Sequence, residues 1–182
     1  MKQIEHWKCS YNTNISGFGE LMDLLWAPWR MNYISRTDKP KGCIFCDACA
    51  CPDGEENLVV RKGRLAFVIL NRFPYTSGHV MVVPYAHLPS LVSLDANTLE
   101  EMMQLIQQSL RTIEKVYHPH GFNVGANIGT VAGAGVADHV HFHIVPRWNG
   151  DTNFMTTVGG ARVLPEDLNQ TLQRLQEGWQ SD

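Results

Sequence analysis

The stretch His139-Val140-His141-Phe142-His143-Ile144-Val145 sets a histidine at every second position and apolar residues between and after them. Strand side chains alternate between faces, so the three imidazoles share one face and Val140, Phe142 and Ile144 share the other. The spacing predicts a strand over 139–146, with its apolar face on a core and its histidine face towards a ligand. Successive imidazoles stand ~6.6 Å apart at ~3.3 Å per residue. Neutral imidazole is a common metal ligand, but the outer two are too widely separated for one ion to take all three from a flat strand. The other reading is nucleophilic catalysis. Histidine titrates near ~6.5, so much of it is free base at neutral pH and can attack phosphorus. Neighbouring imidazoles can orient it, steady phosphate charge and protonate a leaving group. Just upstream, GTVAGAG (129–135) offers backbone N–H groups free to approach a phosphate. It is neither a P-loop nor a dinucleotide fingerprint.

Working outward, NLVVRK (57–62) and RLAFVIL (64–70) are β-rich, with a turn at Lys62-Gly63, and HVMVVP (79–84) and FNVGANI (122–128) add two strands. Leu99, Met102, Met103, Ile106, Leu110 and Ile113 recur at helical spacing and predict an amphipathic helix over about 95–117. Asn97 with Glu100 has capping-box spacing at its start, and Pro119 and Gly121 end it. A last helix runs from about Pro165 to Glu177, stopped by Gly178. LMDLLWAPW (21–29) reads as a short helix broken by Pro28, and TDKPKG (37–42) as a linker. Hairpin-adjacent strands plus one long helix make the class α+β.

Composition narrows the function. The chain has 182 residues, 44% apolar and 18% charged, with a net charge of 15 − 18 = −3. That permits a buried core and excludes a wholly disordered chain. It also argues against holding nucleic acid by a basic surface. Arg30, Arg36, Lys39 and Lys41 read as a solvated linker. No apolar run reaches the ~18 residues of a membrane span, and MKQIEHWKCS has no secretory pattern behind it. Five cysteines and eight histidines stand out, with Cys43, Cys46, Cys49 and Cys51 inside nine residues. A disulfide framework would spread its cysteines, so the reading is a reduced, cytoplasmic protein. Cys43-Ile44-Phe45-Cys46, preceded by Gly42, is half of a zinc site, a near miss for an iron–sulfur run, a redox pair, or a set of unliganded thiols.

HVHFHIV (139–145), VILNRFPYTSGHVMVVPYAHL (68–88) and GFNVGANIG (121–129) together resemble the histidine triad (HIT) superfamily. The resemblance implies an antiparallel sheet of about five strands with one long helix and a C-terminal helix. It implies a HIT domain over 38–148, an N-terminal extension over 1–37, and a C-terminal extension over 149–182 packing on the domain. The expected chemistry is hydrolysis or transfer of nucleoside monophosphates by a homodimer or larger homo-oligomer. By position, His141 would attack the α-phosphorus to form a nucleotidyl-histidine. His143 would contact phosphate or the leaving group, and His79 would lie near the triad. Asn71 would face the ribose hydroxyls and Asn127 the phosphate. Many members carry Ser or Thr three residues before the first histidine, where this chain has Val136. That leaves backbone groups of Gly133, Gly135, Val136 and Ala137 for the phosphate.

The resemblance also implies structural zinc on Cys43, Cys46, His87 and His139. It leaves Cys9, Cys49 and Cys51 without a role and needs no organic cofactor. LWAPWRMNYI (25–34) and PRWNGDTNFMTTVGGARVLPEDL (146–168) resemble bacterial members that act as dinucleoside tetraphosphate phosphorylases. The substrate would then be diadenosine tetraphosphate with inorganic phosphate as acceptor, and Trp148, Asn149, Asp151, Thr152 and Asn153 would shape the pocket. The alternatives are water as acceptor, in a hydrolase or phosphoramidase, and a non-catalytic zinc-containing nucleotide-binding module. Neither a membrane nor a nucleic-acid partner is expected.

Overall fold

Two wholly apolar runs, AFVIL and VMVVP, form the centre of the molecule. In the computed structural model, which describes residues 42–51, 57–152 and 166–180, both runs are strands buried at every position. The elements are α1 (Ile44–Ala50), β1 (Val59–Lys62), β2 (Ala66–Leu70), β3 (Val80–Pro84), α2 (Ala96–Tyr117), β4 (Gly121–Gly125), β5 (Phe142–Arg147) and α3 (Leu168–Gln180), with one 3-10 turn at Leu91–Ser93. The sheet order is β1-β2-β3-β5-β4, and every pair is antiparallel. The α+β class and the antiparallel five-stranded sheet are therefore as the sequence predicts. The expected extension over 1–37 lies outside the described residues. No helix among the described residues is long and apolar enough to cross a membrane.

Boundaries moved where a side chain intercepted a backbone group. Strand pairing of β5 starts at Phe142, not His139, and runs Val82↔Phe142, Met81↔His143, Val80↔Ile144. Upstream of it the His139 ring takes the Pro84 carbonyl at 2.9 Å, and the Val140 N–H bonds the Leu88 carbonyl at 2.7 Å. His139 and His141 thus sit on a lead-in tied to the loop after β3. In the same way the Glu101 carboxylate accepts from the N–H groups of Arg64 and Leu65, so β2 begins at Ala66.

Helix α2 is capped by Asp95, whose carboxylate accepts from the Thr98 N–H at 3.0 Å and the Thr98 hydroxyl at 2.7 Å. The Asn97–Glu100 box expected there lies two residues too late, because aspartate in extended backbone just ahead of the first turn is the stronger cap. Met102, Leu105, Ile106, Ser109 and Ile113 form its buried stripe, while Met103 is 57% exposed. His118, in the left-handed region at φ 47, ends the helix ahead of Pro119.

Helix α3 starts at Leu168, after Asp167 caps the N–H groups of Asn169 and Gln170, both at 2.9 Å. Gly178, expected to stop it, lies inside it. A Cβ there would come within 2.5 Å of Val116, so the bare backbone lets α3 close on α2. The Glu166 carboxylate fastens the pair, accepting from the Tyr117 hydroxyl, from Thr171 at 2.9 Å and from Arg174 at 2.9 Å.

Candidate active site and metal centre

Cys43 is the N-cap residue of α1 and Cys46 stands in its first turn, so the Cys-x-x-Cys pair opens a helix. Residues three apart on a helix face one another. Their sulfurs meet His87 and His139, and the four donor atoms all lie within 4.8 Å of one another. Cys43 Sγ is 3.2 Å from His139 Nδ1, and Cys46 Sγ is 3.4 Å from His87 Nδ1 and 3.7 Å from His139 Nδ1. A tetrahedral site with bonds of ~2.3 Å to sulfur and ~2.0 Å to nitrogen has edges of about 3.5 Å, so the donor set fits one metal ion. The His139 Nε2–H donates to the Pro84 carbonyl, which leaves the Nδ1 lone pair facing the thiols. Cys49 and Cys51 stand outside the quartet, and burial pushes the Cys49 thiol up to about 11.

His141, His143 and His79 divide by tautomer. Buried His141 donates its Nδ1–H to the His139 carbonyl at 2.9 Å, so its Nε2 carries a lone pair. Burial lowers its pKa and keeps that nitrogen unprotonated at neutral pH. His79 Nδ1 accepts from the Tyr75 N–H at 3.1 Å, and its Nε2 lies 3.0 Å from His143 Nδ1. The His79 proton is therefore on Nε2 and points at His143, whose own proton is then on Nε2. His141 and His143 stand with ring centroids 4.8 Å apart. One presents a lone pair and the other an N–H donor, the complement needed for attack on phosphorus and for a departing oxygen.

Burial, then the neighbouring His143 and His141, bring His79 down to about 3. It is neutral when folded, whereas the unfolded chain takes up its proton near pH 6.5. Stability from this group is complete above pH 6.5 and falls as pH drops from there towards 3, by about 1.4 kcal/mol per pH unit. Denaturant titrations between pH 7 and 5 check this: His79→Gln should flatten the slope by that amount, and an unchanged slope would refute it.

Of the other expected residues, Asn71 sits beside His79, with Nδ2 3.5 Å from both ring nitrogens and Oδ1 accepting from the Phe73 N–H at 2.9 Å. Asn127 Nδ2 donates to the Gly133 carbonyl at 3.4 Å and closes the glycine loop, in which Gly133 has φ 84. Val136 packs its side chain against the core, Ala137 is half-buried and Gly135 is exposed. Trp148 is half-buried and follows the last residue of β5, five positions past His143, roughly 16 Å of extended backbone at ~3.3 Å per residue. Asp151 is taken up by a two-point ion pair with Arg147 and by the Trp148 N–H, and the Asn149 N–H by His120. Thr152 donates to Asp151, and Asn153 lies outside the described residues.

Two residues of the site, Tyr75 and Phe45, carried no sequence signal of their own. The Tyr75 ring lies 4.7 Å from His79, and Phe45, inside the Cys-x-x-Cys, lies 4.8 Å from His141 and 5.4 Å edge-on to His139. An apolar residue between two ligands looks like filler until the strand opposite is placed.

Comparison with known proteins agrees with this geometry. The HIT domain profile matches residues 54–150. An AP-4-A phosphorylase from Mycobacterium tuberculosis is 41% identical over 170 residues, covering 90% of this chain and 87% of that protein. An asymmetrical bis(5'-nucleosyl)-tetraphosphatase from Schizosaccharomyces pombe is 33% identical over 93 residues, 51% of this chain and 50% of that protein. A zinc-bound histidine triad family protein from Mycobacterium smegmatis shares the fold at a TM-score of 0.62 and 24% identity, covering 77% of this chain and 94% of its own. With the triad, the sheet and the profile in agreement, the chain belongs to the HIT domain family.

Proposed function

We propose that the chain is a dinucleoside tetraphosphate phosphorylase working through a nucleotidyl-histidine. The observation that carries this is the opposed pair of tautomers at His141 and His143. His141 Nε2 attacks the α-phosphorus of diadenosine tetraphosphate, an N–P bond forms, and the P–O bond to the leaving ATP breaks. His143 Nε2–H supplies the hydrogen bond or proton to the departing oxygen, with His79 holding its ring. Inorganic phosphate then attacks the AMP-histidine, releasing ADP and freeing Nε2. Asn71 would meet the ribose, while Asn127 and the backbone of Gly133, Gly135, Val136 and Ala137 would meet phosphate. With Val136 lacking a hydroxyl, backbone N–H groups take that role alone. The M. tuberculosis relative, which shares most of the chain, supports phosphate as acceptor.

Incubation with diadenosine tetraphosphate, with and without inorganic phosphate, decides the acceptor. ADP plus ATP, formed only with phosphate, is the expected result. AMP plus ATP would make water the acceptor, as in the fission-yeast tetraphosphatase's reaction class. No product under either condition would favour the nucleotide-binding module.

Cys43, Cys46, His87 and His139 would hold zinc as a closed four-coordinate site, which supplies folding stability and has no open position for substrate. Residues 38–148 form the catalytic domain in this reading, flanked by extensions over 1–37 and 149–182, in a reduced cytoplasmic protein. The assembly is a homodimer through the free edge of β4, where Asn123, Val124 and Gly125 are exposed. Sedimentation should show a species of twice the chain mass or larger, and a monomer at micromolar concentration would remove the interface.

A further inference from the structure

His139 makes three attachments at once. Its Nδ1 faces the two thiols, its Nε2–H is held by the Pro84 carbonyl, and its own carbonyl accepts the Nδ1–H of His141. Phe45 joins the same parts from the other side. It is 2% exposed, sits on α1 between Cys43 and Cys46, and touches the rings of both His139 and His141. The His141 side chain precedes the ladder of β5, so sheet pairing does not fix it; the His139 carbonyl and the rings around it do. Helix α1 has only seven residues. A helix that short does not hold its shape unaided, and it is tied down by Phe45 in the core and by the two thiols beside His87 and His139.

We infer that the cysteine–histidine centre positions the nucleophile: α1, clamped by its thiols, presses Phe45 against the His141 imidazole while ligated His139 offers the carbonyl that sets its tautomer. Phe45 is then a positioning residue, acting through His141. This rests on His141 as the nucleophile proposed above. Loosening α1 lets the imidazole turn, and misplacement of a reacting group by ~1 Å costs on the order of a hundredfold in rate.

The test follows the imidazole nitrogens of His141 by long-range 1H–15N correlation, assigned by their loss in His141→Ala. Spectra are compared for the purified chain, the chain stripped with a zinc chelator, Phe45→Leu and Phe45→Met. The purified chain should show a single Nδ1–H tautomer. Stripping and Phe45→Leu should each move it towards an averaged pair, and Phe45→Met, closer in reach to phenylalanine, should restore part of the signal. In single turnover Phe45→Leu should slow nucleotidyl-histidine formation by about tenfold or more, with KM changed less than about twofold. Unmoved His141 signals after both stripping and Phe45→Leu overturn the inference, as does a raised KM at unchanged kcat, which would make Phe45 a pocket wall only. Circular dichroism is recorded first; if the stripped chain unfolds, the two Phe45 variants decide, and if Phe45→Leu unfolds, Phe45→Met and the stripped chain do. The spectra need no nucleotide. A chain that forms no nucleotidyl-histidine, yet loses the His141 tautomer on stripping, refutes the catalytic reading and leaves the coupling standing.

Discussion

His141→Ala removes turnover of diadenosine tetraphosphate by at least about 10⁴-fold, since the substitution deletes the nucleophile and not a supporting group. The geometry makes this loss separable from damage to the fold. Among the described residues His141 belongs to no ion pair, and its ring packs against Phe45 and His143. Its metal content should be unchanged, because the donor quartet does not include it. His143→Ala should cost less, roughly 10²–10³-fold, as expected for loss of a proton donor. An intact-mass measurement after mixing with substrate checks the pair directly. The native chain and His143→Ala should carry an added nucleotidyl group, and His141→Ala should carry none. Turnover surviving in His141→Ala would end the mechanism proposed here.

Cys46→Ser carries the second large effect, and it falls on stability. Cys46 Sγ is the donor that approaches both histidines, and its loss opens the quartet. Metal bound only to the folded chain stabilises it through its binding free energy. The variant should therefore lose its metal and roughly 3–5 kcal/mol of stability, which at this chain length is about 10 °C in Tm. Elemental analysis should read one zinc per native chain, one in His141→Ala and none in Cys46→Ser. Cys49→Ser should match the native chain, since Cys49 stands outside the group. Zinc retained by Cys46→Ser, or lost from His141→Ala, would show that the ligands have been misassigned.

The legible parts of this chain were those that repeat. Alternation in HVHFHIV announces a two-faced extended segment, and Leu99, Met102, Met103, Ile106, Leu110 and Ile113 announce the long helix whichever residue caps it. What stayed hidden were competitions for single backbone groups. Nothing local in HVH tells that the first ring will take the carbonyl of Pro84, 55 residues earlier, and so delay the strand. Asp95 against Asn97 is a contest between two good caps, and Asp95, in extended backbone, takes the Thr98 N–H. Gly178 looks like a helix stop because the nearness of Val116 is not written beside it. The quartet was legible only through resemblance, since 96 positions separate Cys43 from His139.

Sheet order adds a kinetic consequence. β1, β2 and β3 follow one another as hairpin neighbours, but β3 pairs next with β5, and Met81 meets His143 across 143 − 81 = 62 positions. Closing so long a loop must precede any contact that rewards it, and non-local pairings of this kind slow folding. The imidazoles of His79 and His143 therefore meet at that late closure, which makes the site among the last parts of the molecule to assemble. On a chain emerging from the ribosome, β1 to β3 are complete at Pro84, and 143 − 84 = 59 further residues must follow before His143 can join them.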